Sequence, residues 1–131
     1  MLEDNIETFQ EQSAIIKSIL ILSGLKQIPV NGFGEIFYNL KQEFPEYFKR
    51  LRFDTNGHVP FSNDLDEIFS DFLIAGIICF KSIRMRDYAI SDDEKYIKEL
   101  DRDLKEEGIK NISKIREISE KFKTYINNYS V

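Results

Sequence analysis

One cysteine, one histidine, three prolines and six glycines are spread over 131 residues, and each scarcity removes a class of protein. A single cysteine makes no internal disulfide and builds no cysteine zinc site. Cys79 lies in the apolar run Ile77-Ile78-Cys79-Phe80, where a buried thiol in a reducing cytoplasm is expected. So little glycine and proline excludes collagen-like and low-complexity chains. The lone His58 would have to serve any Ser-His or Cys-His pair. It stands beside the turn dipeptide Asn56-Gly57, 21 residues from the only cysteine, and reads as a polar turn residue. No catalytic residue, and hence no enzyme, is expected. There is no second histidine and no glycine-bearing calcium loop, so no metal is expected. Gly32-x-Gly34 lacks the third glycine of a dinucleotide loop and reads as a plain loop, so no cofactor is expected either.

Long apolar runs are also missing. The most apolar stretch, Ala14 to Leu25, is broken by Lys17, Ser18 and Ser23, whereas a membrane-spanning helix needs about 18 apolar residues. The start, Met-Leu-Glu-Asp, is acidic where a secretory signal is basic. A cytoplasmic protein without membrane contact is expected. The net charge of −5 leans against a general nucleic-acid binder, because phosphate contacts favour a basic surface.

What remains is the composition of a folded domain, 42% hydrophobic and 31% charged. Periodicity predicts a first helix from about Asn5 to Ser23, capped by Asp4 with Glu7 in a capping box and stopped at Gly24. Gln27 to Val30 reads as extended. A second helix, from Phe33 to Phe44, ends at Pro45. Leu51 to Asp54 and His58 to Phe61 flank Asn56-Gly57 as a short irregular hairpin, limited by Pro60. A third helix is capped by Ser62 or Asn63, buries Leu65, Ile68, Phe69, Phe72 and Leu73, and stops at Gly76. Ile77 to Lys81 and Ile83 to Ile90 read as two strands of a β-ribbon. Ser91-Asp92-Asp93-Glu94 opens a fourth helix that ends at Gly108. A fifth, capped by Asn111, carries Ile112, Ile115, Ile118, Phe122, Tyr125, Ile126 and Tyr129 on one face. The fold class expected is α+β, mostly helical, with a two-stranded ribbon. Residues 1–90 form one domain, and residues 91–131 form a C-terminal helical hairpin packed on it or forming a dimer interface.

The order helix, extended piece, helix, helix, strand, strand resembles a winged helix. The stretch from Pro60-Phe61-Ser62 through Ala75-Gly76-Ile77-Ile78, a helix running into a ribbon, resembles the junction of third helix and wing. Over residues 5–90 the chain is similar to small bacterial winged-helix-like proteins, some linked to toxin–antitoxin or mobile-element loci. The resemblance implies a fold that serves both DNA binding and protein contact.

The signs of charge separate those two uses. The third helix would be the recognition helix, and its solvent side offers Asn63, Asp64, Asp66, Glu67, Ser70 and Asp71, four carboxylates without a lysine or arginine. Such a face repels a duplex. A DNA-binding regulator would instead rely on two basic clusters, Lys49, Arg50 and Arg52 before the turn, and Lys81, Arg84 and Arg86 on the wing. These six also fit a solvated or structural role, for instance pairing with Asp92 and Asp93. The terminal face of Ile115, Ile118, Phe122, Tyr125 and Tyr129 either docks on its own domain or lies across a partner. The reading is a non-catalytic protein that binds another protein or itself as a homodimer, with the DNA-binding regulator as the alternative.

Overall fold

The computed structural model describes residues 6–29, 32–57, 59–80, 87–90, 94–106, 108–109 and 111–129. His58, Lys81, Arg84, Arg86 and the expected caps at Asp4 and at residues 91–93 lie outside these described residues, as does the side chain of Tyr129.

Helix α1 spans Phe9–Leu22. Its cap is Thr8, not Asp4: Thr8 Oγ1 accepts from the Glu11 N–H at 3.1 Å, and Glu11 Oε1 accepts from the Thr8 N–H at 3.0 Å. The capping box therefore closes four residues later than the sequence pattern suggested, and it satisfies two backbone donors at once. Strand β1 is Gln27–Pro29, α2 is Phe33–Glu43, and a 3₁₀ turn Pro45–Tyr47 follows the helix. Helix α3 is Asn63–Ala75 with Ser62 as its cap, and Ser62 Oγ accepts from the Leu65 N–H at 3.1 Å. Gly76, at φ 78°, lets the N–H groups of Gly76 and Ile77 turn back onto the carbonyls of Leu73 and Phe72, which closes the helix. Strands β2, Ile78–Phe80, and β3, Asp87–Ile90, lead to α4, Glu94–Glu106, and α5, Ile112–Tyr129.

The sheet has three strands in the order β1-β3-β2, all antiparallel, where the sequence suggested a two-stranded ribbon. The third member is the extended Gln27–Pro29 segment, which pairs Ile28 with Tyr88. Pro29 donates no hydrogen bond, and an edge strand tolerates it. Tyr88 thus sits between Ile28 and Phe80 on one row of the sheet. Period-two alternation also corrects the reading of Cys79. Ile78 is 1% exposed and faces the core, so Cys79 points to the opposite side and is exposed. Among the described residues the expected hairpin around Asn56-Gly57 reduces to one bridge, Asp54 to Phe61. Pro60 supplies no N–H to extend it, and Asp54 Oδ1 turns inward to accept from the Asn56 N–H at 2.9 Å.

One continuous core joins both halves of the chain. From α1 come Ile15, Ile16, Ile19 and Leu20, all fully buried. Leu100 and Leu104 of α4 and Ile115, Ile118 and Phe122 of α5 enter the same cluster. Phe122 meets Phe37 of α2 with ring centroids 5.4 Å apart. Ser119 Oγ donates to the Ile19 carbonyl at 2.8 Å, a buried bond that fixes α5 against α1. Gln12 of α1 is fully buried and clamps the chain after α2: its Nε2 donates to the Tyr47 carbonyl at 2.9 Å, and its Oε1 accepts from the Arg50 N–H at 3.1 Å. Among the described residues no helix is long and apolar enough to cross a membrane.

Candidate functional site

The described residues bring four separate segments together beside α3. Phe33, the first residue of α2, stacks on Phe69 of α3 with centroids 4.4 Å apart and planes 3° apart. Tyr88 of β3 lies parallel to both, 5.5 Å from Phe33 and 5.7 Å from Phe69. The fourth segment is Val59-Pro60-Phe61, tethered through the Asp54–Phe61 bridge, with backbone bonds of 2.7 and 2.9 Å. It presses on the first turn of α2. A Cβ on Gly34 would lie 2.4 Å from the Pro60 carbonyl oxygen, so this position accepts only glycine without a shift.

Between this segment and the rings opens a cleft of about 520 Å³. Phe33, Phe61, Phe69 and Tyr88 supply aromatic lining, and Asp66 and Ser70 of α3 supply polar groups. Phe61 is 49% exposed and Val59 53% exposed, an apolar pair at the surface. Desolvation raises the Asp66 carboxyl above its usual value. Burial, and then the Asp66 charge, raise the Tyr88 phenol. The Asp66 charge therefore reaches the Tyr88 phenol.

On the other side of Phe61 is a second recess of about 370 Å³, lined by Arg52, Asp54, Asn63 and Asp64 among others. Two of its charges are already paired with one another. Arg52 grips Asp64 with two side-chain hydrogen bonds of 3.1 Å, and its backbone N–H adds a third at 2.9 Å. The Arg52 hydrogen bond, opposed in part by desolvation, holds the Asp64 carboxyl below the usual range, and the charge of Arg50 contributes.

These placements revise the sequence picture of the charges. Asp64 was expected on the solvent side of the third helix, but it is 8% exposed and turned toward Arg52. The reason is the loop. Residues 51–54 run alongside the start of α3, so a carboxylate in its first turn meets the guanidinium twelve positions earlier. Asp66, Glu67, Ser70 and Asp71 remain exposed. Of the first basic cluster, Lys49 is exposed, Arg50 is half-buried, and Arg52 is spent on Asp64. Lys81, Arg84 and Arg86 lie outside the described residues. Ile115, Ile118 and Phe122 have no exposed area, being covered by their own chain. Tyr125 is half-buried, and its hydroxyl donates to Glu43 Oε1 of α2, which pushes the phenol up to about 12.

The cleft was not visible in the sequence, because its walls come from α2, α3, β3 and the bridge segment. The one signal present was Pro60-Phe61-Ser62, an aromatic held just outside a helix cap. Among the described residues no three metal-ligating side chains converge. Compared with models of known families, with curated proteins and with solved structures, the chain matches none.

Proposed function

We propose that this chain is a non-catalytic, winged-helix-like domain that acts by binding another polypeptide, and that the cleft beside α3 is where it does so. The element order, with β3 between β1 and β2, supports the winged-helix reading. The observation that carries the functional reading is the half-exposed Phe61 standing over an aromatic-lined cleft. Exposed apolar groups rimmed by polar ones are the usual anatomy of a protein-recognition site, where aromatics contribute most of the affinity.

The same surface suits a duplex poorly. The exposed side of α3 carries Asp66, Glu67 and Asp71, and Arg52, among the described residues, is bound to Asp64. Anions facing phosphates lose the counterion release that drives such binding. Self-association through α5 is also disfavoured, since burying Ile115, Ile118 and Phe122 against a second copy would first require stripping them from α1 and α2.

Selection of displayed 12-residue peptides on the immobilised full chain tests this reading. Enriched sequences are expected, with binding lost in Phe61→Ser. Phe61 joins its neighbour through backbone bonds, so that variant keeps its fold, which circular dichroism checks. Absence of enrichment, or enrichment indifferent to Phe61→Ser, overturns the proposal.

A further inference from the structure

We infer that the cleft takes a cationic side chain, a lysine or arginine presented by the polypeptide partner. The inference rests on the polypeptide-binding reading and adds the chemistry of what enters.

The contrast between the two aspartates of α3 leads there. Asp64 has its guanidinium already, in a two-pronged pair. Asp66, two positions on, lines the larger cleft, and no described cation pairs with it. Its carboxylate lines the same cleft as Phe69 and Tyr88 and is partly desolvated there. A carboxylate in that setting gains more from an incoming cation than one in bulk water does, because the surrounding dielectric is lower. Ser70, one turn along the helix, adds a hydroxyl acceptor on the same side.

The shape agrees with the charge. Lysine and arginine carry a long apolar stem and a charged tip, and they bury the stem along apolar surface while the tip finds acceptors. The half-exposed Phe61 offers apolar surface to the stem and an aromatic ring to the cation. At about 520 Å³ the cleft lies within the roughly 300–1,000 Å³ range of ligand-binding sites, with room for one long side chain and its neighbours. An acidic side chain would face Asp66 with like charge. A purely aliphatic one would deepen the desolvation of Asp66 without pairing it.

The test is a nuclear magnetic resonance titration of the ¹⁵N-labelled full chain with three blocked pentapeptides: Gly-Leu-Lys-Leu-Gly, its norleucine twin and its glutamate twin. The lysine peptide is expected to move the amides of Phe61, Asp66, Phe69 and Ser70, and to bind at least tenfold tighter than either twin. In Asp66→Asn, an exposed helix position, that preference is expected to vanish while the peptides still bind weakly. Equal binding of the lysine and norleucine peptides at the cleft, or a preference that survives Asp66→Asn, would overturn the cation inference and leave the polypeptide reading standing. If none of the three moves these amides, both fail.

Discussion

Replacing Phe122 with alanine separates a helix that belongs to the fold from one held ready for a partner. Phe122 is fully buried, packs on Phe37 at 5.4 Å and shares its cluster with Ile19 and Ile118. Large-to-small changes of this kind in a core cost about 3–5 kcal/mol. A domain of this size has about 5–15 kcal/mol of stability in all. With roughly 3–5 °C lost per kcal/mol, the melting temperature should fall by about 10–25 °C. Circular dichroism at 222 nm on heating, paired with urea unfolding, reads the effect, and sedimentation reports the mass. The expected result is a large stability loss with no change in oligomeric state below the transition. A shift under about 3 °C together with a lost dimer would show instead that α5 is exposed in the monomer and buried only between copies.

Two further outcomes follow from the site. Asp64→Asn removes the charge that Arg52 holds; the Arg52 side chain is 80% exposed, so water screens the pair and the expected cost at neutral pH is about 1 kcal/mol or less. The folded carboxyl lies below its unfolded value, so its contribution is present above the ordinary aspartate range and disappears as pH falls through the folded value. Urea midpoints from pH 6 to pH 3 should converge between the wild type and Asp64→Asn; a constant gap would contradict the ion pair. Gly34→Ala should destabilise by about 1–3 kcal/mol, since its methyl meets the Pro60 backbone oxygen and overpacking outweighs the roughly 1 kcal/mol that alanine gains in a helix. A more stable Gly34→Ala protein would mean that the bridge segment is not seated on α2.

The helices were legible where their information is local. Ser62, Gly76 and the spacing of Leu65, Ile68, Phe69 and Phe72 mark α3 within fifteen residues of chain, and Asn111 caps α5 through its Oδ1 as its position suggested. What the sequence hid depends on contacts between distant segments. Thr8 and Asp4 are both good caps by residue type, each three residues before a glutamate, so the local pattern alone does not choose between them. Cys79 has apolar neighbours on both sides, and only the sheet shows which face is covered. Arg52 and Asp64 each look like surface charges until the loop brings them together. The cleft needs Phe33, Phe69 and Tyr88 stacked, and nothing in their spacing along the chain predicts that. Gly34, which reads as half of a glycine loop, has its reason in a carbonyl 26 residues away.

The most direct measurement is a side-by-side fluorescence anisotropy titration of the full chain, at about 50 mM salt, with a labelled 20-base-pair duplex and with the peptides selected on the cleft. The account predicts saturable peptide binding that Phe61→Ser abolishes, and no duplex binding where electrostatic attraction is least screened. A duplex that binds, with affinity falling steeply as salt rises, while Phe61→Ser leaves the peptides unaffected, would contradict it.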